Sequence, residues 1–333
     1  MNLITGGTGI VGCRLAFDLV KEGLAVRCTK RLNSDVDFVK RVFRFYDPDL
    51  GEKIFGKIEW VNADLLDVYQ LEKALENVKI VYHTAALVSY HQKDRKKLID
   101  TNVRGTANLV NVCLDSKIES FCHISSVAAL GVQKDSEAIN EESKWNRSKI
   151  HSNYALSKYL AEQEVWRGNG EGLNVSIVNP SVILGPSKPD QSSGSLMNLL
   201  RKGISYYPTG ATGFVDVRDV SRVCIELQKK EVYGERFLLN AENLNYKKLL
   251  DLAAETYNNS KPGIKVGRLA LEFARIYELL KSTFSNTPSR ITSETLKSSI
   301  RKSHYSNQKI KSKLGTEFYP VKDALKYYSG FFN

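Results

Sequence analysis

The sequence predicts a doubly wound parallel α/β sheet with a smaller, mainly helical C-terminal region. Three observations carry that prediction. Short β-branched runs alternate with helical apolar spacing over the first two thirds of the chain, a glycine-rich turn joins the first strand to the first helix, and from Asn245 on the pattern is mostly helical. Repeated strand, helix, strand order requires crossover connections, which makes the sheet parallel. With 333 residues the chain has material for about two domains and needs no metal or disulfide to complete its core.

Leu3-Ile4, Leu24–Thr29, Ile58–Val61, Lys79–His83, Ser120–Ser125 and Val175–Val178 read as buried strands. Between them Val11/Leu15/Leu19, Leu71/Leu75 and Val103/Leu109/Val110/Cys113 repeat at helical spacing. This sheet-forming part is placed at 1–184. A Ser/Gly/Pro-rich connection through Ser187, Pro189, Ser192, Ser193 and Gly194 is expected to be a mobile loop. The chain is then expected to return to the sheet around 213–240, through Gly213–Val217 and Arg236–Leu239, and 185–333 forms a mostly helical second region. Within it Ile264–Phe284 reads as one basic amphipathic helix carrying Leu269, Leu271, Phe273, Ile276, Leu279 and Leu280. Its apolar stripe calls for packing onto the domain; a membrane-surface role is the alternative.

Composition excludes several classes. With 42% hydrophobic, 10% aromatic and 26% charged residues the chain is too rich in core formers to be disordered. Cys13, Cys28, Cys113, Cys122 and Cys224 stand singly in apolar stretches, which reads as buried reduced thiols. No apolar run reaches the roughly 18 residues of a membrane span, and no basic segment precedes a long apolar run at the N-terminus, so a cytoplasmic protein without stable membrane insertion is expected. The net charge is +11, and an excess of nine cations falls between Lys261 and Gly330. A solvated lysine-rich helical face accounts for it; without aromatic-interleaved basic motifs no nucleic-acid partner is expected. His83, His91, His151 and His304 show no ligand spacing, so no metal is expected, and His123 reads as a packed core residue.

Thr5-Gly6-Gly7-Thr8-Gly9-Ile10-Val11-Gly12 follows a strand and opens a helix whose apolar positions begin at Val11. Glycines at 6, 9 and 12 permit a tight turn, close approach of the backbone to a pyrophosphate, and close packing of helix on strand, with the anion at the helix N-terminus. This is a Rossmann-type dinucleotide loop spaced GxxGxxG rather than GxGxxG. The second strand ends in Lys30-Arg31 with no acid before Asp35. Cations at that point suit a 2'-phosphate, so NADP is expected over NAD; two merely solvated cations are the alternative.

Tyr154 and Lys158 fall one turn apart on one helix face. A free phenol titrates near 10, too high for a base at neutral pH, but a neighbouring ammonium and a cationic nicotinamide lower it. Tyrosine beside lysine is then a proton donor and acceptor for a carbonyl/alcohol pair. The preceding strand ends in Ser125-Ser126 at the sheet's carboxyl edge, where one hydroxyl can hydrogen-bond the substrate oxygen.

Taken in order, TGGTGIVG at 5–12, Asp64-Leu65, His83-Thr84-Ala85-Ala86, Asn102 in TNVRGTANL, Ser125-Ser126, Tyr154/Lys158 and Asn179-Pro180-Ser181-Val182-Ile183-Leu184-Gly185-Pro186 resemble an extended short-chain dehydrogenase/reductase. That family is also called NAD-dependent epimerase/dehydratase, and the likeness runs from residue 1 to about 240. The resemblance implies that Ser126, five positions before Gly131, is the catalytic hydroxyl and Tyr154 the general acid/base. It implies that Lys158 holds the nicotinamide ribose and lowers the tyrosine pKa. Asp64 and Leu65 would frame the adenine, Ala85 and Ala86 would pass phosphate and ribose, and Pro180 and Ile183 would contact the carboxamide. Asn102 either fixes helix geometry or touches cofactor. The second region would bind a small carbonyl/alcohol substrate, and relatives often pair as homodimers through the helices bearing Asn102 and Tyr154.

Departures narrow the chemistry that the resemblance implies. The dehydratase branch carries an Asp-Glu pair directly after the catalytic hydroxyl, where this chain has Val127-Ala128. The nucleotide-sugar epimerase branch has an aromatic where Leu130 stands and an arginine where Thr212 stands, although Arg218 is available to compensate for the latter. Val26–Arg31, Val178–Pro180 and Phe214–Val220 are similar to the dihydroflavonol-reductase and hydroxysteroid-dehydrogenase branch. The leading expectation is NADPH-dependent reduction of a ketone or aldehyde. An NAD-dependent nucleotide-sugar epimerase and a non-catalytic dinucleotide-sensing protein are the alternatives. Substrate identity is assigned to Ser89-Tyr90-His91, to 187–203 and to the helices past 245, with Leu196, Tyr206 and Tyr207 either lining a pocket or packing as a lid.

Overall fold

Parallel strands β1 (Asn2–Thr5), β2 (Val26–Lys30), β3 (Glu59–Asn62), β4 (Ile80–His83), β5 (Ser120–Ile124), β6 (Val175–Pro180) and β10 (Glu235–Leu239) build the main sheet of the computed structural model, in the order β10-β6-β5-β4-β1-β2-β3. The structure describes residues 1–131, 138–146, 151–188, 192–272 and 292–332. Strands β1, β5 and β6 are buried along their whole length, which is why they appear in the sequence as unbroken apolar runs. The strand order reverses between β1 and β4, and that switch point opens the crevice in which such sheets bind ligands.

Helices complete two cores. On one face pack α1 (Ile10–Lys21), α2 (Val36–Tyr46), α3 (Gly51–Gly56), α9 (Val217–Lys229), α10 (Tyr246–Tyr257) and α13 (Val321–Phe332), through side chains such as Leu15, Phe43, Val220, Leu249 and Tyr328. The other face is closed by α4 (Val68–Leu75), α6 (Gly105–Asp115) and α7 (Asn153–Gly170), through Leu71, Leu109, Val110 and Val165. A short helix α5 (Arg95–Leu98) runs through a wider π-type turn at Ile99–Arg104 into α6. All five cysteines are buried and unpaired.

Three expectations are corrected. Ser192–Lys202 is a helix, α8, rather than a loop: Met197 and Leu200 are fully buried at helical spacing, and Gly194 fits where a Cβ would strike the Lys188 carbonyl. Burial of the apolar stripe outweighs the loop signal of Ser and Gly. Gly213–Val217 does not rejoin the main sheet. Past Pro180 the chain continues into β7 (Val182–Leu184), and the slot beside β6 is taken by β10. The returning segment, β9 (Ala211–Asp216), therefore pairs with β7 and with β11 (Glu242–Asn245) in a separate three-stranded sheet. Finally, Ile264–Val266 is a strand, β12, parallel to β8 (Tyr206–Pro208), and the helix begins after Gly267. Leu269 is exposed, while Phe273, Ile276, Leu279 and Leu280 lie outside the described residues. Leu196 and Tyr207 pack on the core, and Tyr206 is exposed.

The C-terminal region is tied down by α11 (Ser293–Ile300), α12 (Gln308–Leu314) and α13. Arg218, at the start of α9, donates through Nε and Nη2 to buried Asp216 at 3.0 and 2.6 Å and lies 4.0 and 4.2 Å from the ring centres of Tyr319 and Tyr327. The Tyr328 hydroxyl donates to the other Asp216 oxygen at 2.5 Å. This guanidinium is committed to docking α13, which corrects the suggestion that it could clamp a diphosphate. Arg218→Ala leaves a buried carboxylate without its cation and is expected to lower the unfolding free energy by about 3 kcal/mol in urea titration. A loss under about 1 kcal/mol would show that the cluster does not hold the helix.

Candidate active site

The first strand turns at Gly6, whose φ of +69° suits glycine. A Cβ there would lie 2.8 Å from the Ala85 Cα, and one on Gly12 would lie 2.4 Å from the Gly6 carbonyl oxygen and 2.7 Å from the Thr84 hydroxyl. The glycines thus let α1 and the ends of β1 and β4 close on one another. Gly9 is the N-cap of α1 and supplies no side-chain cap, so the first amides of the helix, at Ile10, Val11 and Gly12, remain available to an anion. Thr8 is half-buried beside this exposed turn. Ile10 reaches toward Gly185, bringing the segment after Pro180 and Ile183 up to the loop. An uncapped helix start behind a glycine turn fits a pyrophosphate, and hence a dinucleotide.

At the neighbouring strand ends, the Lys30 amine donates to the Asn62 side chain at 2.8 Å and Arg31 is exposed. Asp35, the nearest acid, is occupied elsewhere: it caps α2 by accepting from the Phe38 amide at 2.9 Å and pairs with Lys188 at 3.0 Å. Those two contacts hold its carboxyl below the usual range, the Phe38 bond first. Asp64 is exposed and accepts from the Leu66 amide at 2.9 Å, while Leu65 is buried against Gly105. Ala85 and Ala86 follow β4 on the near side of the switch point.

Ser126, two residues past the end of β5, has extended backbone, and its Oγ accepts from the Ala128 amide at 3.1 Å. Its hydroxyl neighbours that of Tyr154 and favours the charged form of the phenol. Helix α7 starts on the Ser152 hydroxyl, which accepts from the Ala155 amide at 2.9 Å, and this cap sets Tyr154 in the first turn. The Tyr90 ring meets Tyr154 edge-on at 5.8 Å. Burial pushes the Tyr154 pKa up, Tyr90 adds to the rise, and the Ser126 hydroxyl opposes it. Within the chain itself burial sets the direction; the lowering expected from sequence depends on a bound cationic nicotinamide as well as on Lys158. Lys158 is buried one turn on, with its amine donating to the Ile124 carbonyl at 2.9 Å. Burial pulls its pKa down to about 8, against the opposing charge of Glu162.

Sequence reasoning missed Glu162, although its i,i+4 spacing from Lys158 was readable. Asn102 lies in the π-type turn, where such bulges often mark functional sites. Its Oδ1 accepts from the Leu87 amide at 2.7 Å, and its Nδ2 donates to the Leu87 carbonyl and to the Ser157 hydroxyl, both at 2.9 Å. Asn102 therefore ties the segment after β4 to α7. His83 is buried with its ring nitrogens 2.7 Å from the Thr5 hydroxyl and 2.9 Å from that of Thr106. His123 is buried beside it, ring centres 5.2 Å apart. Among the described residues no cluster of His, Cys, Asp and Glu is placed to hold a metal ion, and no helix is long and apolar enough to cross a membrane.

The profile of the NAD dependent epimerase/dehydratase family matches residues 2–238. A protein of Synechocystis sp. named "Putative dihydroflavonol 4-reductase" is 30% identical over 329 residues, spanning 97% of this chain and 91% of that protein. Sterol demethylase protein B of Methylococcus capsulatus is 31% identical over 269 residues, spanning 80% and 77%. Among solved structures, that of gox2253 superposes with a TM-score of 0.81 at 29% identity, covering 100% of this chain and 97% of the other.

The two histidines make a pH prediction. Burial, with Lys158 adding to it, holds His83 down to about 3 and His123 well below its ordinary value. Both imidazoles are neutral in the folded chain, whereas the unfolded chain takes up protons below about 6.5. Their contribution is present above that pH and is lost as pH falls, by about 2 kcal/mol per histidine between pH 6.5 and 5. Urea titrations across that range should show the fall, with a shallower slope in His83→Gln; equal slopes would contradict it.

Proposed function

The chain belongs to the NAD dependent epimerase/dehydratase family, whose members are NAD(P)-dependent oxidoreductase-type enzymes, and we propose that it reduces a ketone or aldehyde with NADPH. The observation that carries this reading is the Ser126–Tyr154 hydroxyl pair at the sheet's carboxyl edge, followed by Val127-Ala128 rather than by carboxylates. A dehydratase needs an acid/base pair for the carbon next to the carbonyl, and here those positions are apolar.

The Gly6–Gly12 turn and the α1 amides would hold a nicotinamide cofactor, which would supply the hydride. In this reading Ser126 and Tyr154 both hydrogen-bond the substrate oxygen, and Tyr154 delivers the proton as that oxygen gains charge. Lys158, a turn along α7, stabilises the phenolate left behind. Residues 1–184, with the returning strand, hold the cofactor, and the remainder shapes the substrate site. Tyr90 from the segment after β4, Tyr246 at the start of α10, and Tyr305 line its far side in this assignment. Their phenols lie close enough to perturb one another: Tyr305 and Tyr90 add to the burial that pushes Tyr246 up to about 12. Support for a reductase over an epimerase also comes from Arg218, which is spent on Asp216 and so cannot bind a sugar diphosphate.

The cofactor assignment rests on charge. It is supported by Lys30 and Arg31 at the end of β2, cations that suit a 2'-phosphate, and by Asp35, the nearest acid, being engaged by Phe38 and Lys188.

Two measurements test the proposal. Tyr154→Phe is expected to bind NADPH normally, by fluorescence, and to lose about 10²–10⁴-fold in kcat; retained turnover would overturn the assignment of Tyr154. NADPH is expected to bind at least about tenfold tighter than NADH, with the preference removed in the Lys30→Ala, Arg31→Ala double variant; tighter NADH binding to the unaltered chain refutes the charge argument.

A further inference from the structure

Beneath α7 a row of residues crosses the main sheet. Thr5, His83, His123, Ile177 and Arg236 are successive register partners on β1, β4, β5, β6 and β10. Helix α7 covers this row, laying Lys158 and, one turn later, Glu162 against it. Glu162 is fully buried. One carboxylate oxygen accepts from Asn179 Nδ2 at 2.5 Å and the other from Arg236 Nη1 at 3.4 Å. Arg236 is itself anchored on the Glu141 backbone carbonyl, through Nε at 2.9 Å and through Nη2. Donors from two strands, β6 and β10, thus converge on one acid that the reaction does not touch.

We propose that Glu162 is a positioning residue: it supplies the counter-charge that keeps Lys158 an ammonium in a site without water, and thereby sets the pH above which Tyr154 can no longer exchange its proton. The proposal rests on the roles given above to Lys158 and Tyr154. An ammonium taken out of water must find an opposite charge or give up its proton. The Lys158 amine has one backbone carbonyl for a partner. Its titratable neighbours on the sheet, His83 from β4 and His123 from β5, are neutral and disfavour a nearby cation becoming two. From its own helix it faces Tyr154 and Glu162, and of these the carboxylate is the group that opposes the loss of its proton. Burial pushes the Glu162 pKa up in turn, against the bond from Asn179 and the charges of Arg236 and Lys158. Asn179 and Arg236 favour its charged form, the form in which it can serve the lysine.

The test reads Lys158 directly. Full-length protein carrying lysine labelled with ¹³C at Cε, with the signal assigned by its absence in Lys158→Arg, is titrated by NMR without cofactor or substrate. The midpoint is expected near 8 in the native chain and about one to three pH units lower in Glu162→Gln. Glu162→Asp, which keeps the charge, should stay near the native midpoint even where its thermal stability falls. Asn179→Ala, which strips a donor from the carboxylate and leaves the lysine alone, should shift it the same way by less. With 1-phenyl-1,2-propanedione and NADPH as the probe pair, the alkaline limit of kcat should move down with the midpoint. An unchanged midpoint in folded Glu162→Gln, or in Asn179→Ala should the former not fold, overturns the proposal, as does equal behaviour of the Gln and Asp variants. Since the titration needs no turnover, an active Tyr154→Phe variant would defeat the role given to Tyr154 separately.

Discussion

Lys158 is 2% exposed, and the carbonyl it donates to is a backbone one, so its charge has to be balanced by whatever the fold places around it. Much of the sheet's carboxyl edge is arranged accordingly. His83 and His123 are uncharged, and Thr5 and Thr106 satisfy both nitrogens of His83 without adding charge. Asn102 and Ser157 on the flank of α7 are likewise neutral donors and acceptors. The single acid against the lysine is held by a cation one strand further out. An ion pair buried this way contributes little net stability, because desolvation offsets most of the attraction. Its value lies in keeping one proton where the chemistry requires it.

The same edge must admit a cofactor closely, and that demand is met by removing side chains rather than adding them. Gly6 approaches Ala85, Gly12 approaches the Gly6 carbonyl and Thr84, and Gly105 approaches Leu65, in each case at distances a Cβ would violate. Backbone from β1, β4 and α1 can then form a floor with free amides at one end and the Ser126–Tyr154 hydroxyls at the other. The π-type turn at Ile99–Arg104 turns Asn102 inward to grip Leu87 and Ser157, so the segment after β4 is fixed relative to α7. Positioning of phenol, amine and glycine turn is thus one mechanical unit spanning more than 150 residues of sequence.

How much of this could be read from the chain followed from how local each signal is. The strands, the glycine turn and the Tyr154/Lys158 spacing are local, and each appears in the structure at or within a few residues of its expected place. The failures came where partners are distant. Nothing near Ala211–Asp216 says that its neighbour is β7 and not β6, because the choice depends on β10 taking the main-sheet position. Ser192 to Gly194 looked like a loop since their composition is visible in sequence, whereas the burial of Met197 and Leu200 against other elements is not. Arg218 looked free because Tyr319, Tyr327 and Tyr328, which surround it, lie a hundred residues further on.

The distance between signal and partner also explains why the cofactor end of the site is legible and the substrate end is not. Pyrophosphate is held by backbone amides and a missing Cβ, requirements that any sequence must meet with glycine at set spacing. A substrate is held by side chains, and here the phenols of Tyr90, Tyr246 and Tyr305 interact although they come from three separate parts of the chain. Such a wall tolerates exchange of one aromatic or polar residue for another without disturbing the sheet that carries the hydroxyl pair. In the proposed reading the edge that carries Tyr154 and Lys158 is constrained by electrostatics, while the wall across the cleft is constrained by shape, and the residues that would decide which molecule is bound are to be sought among those facing Tyr154.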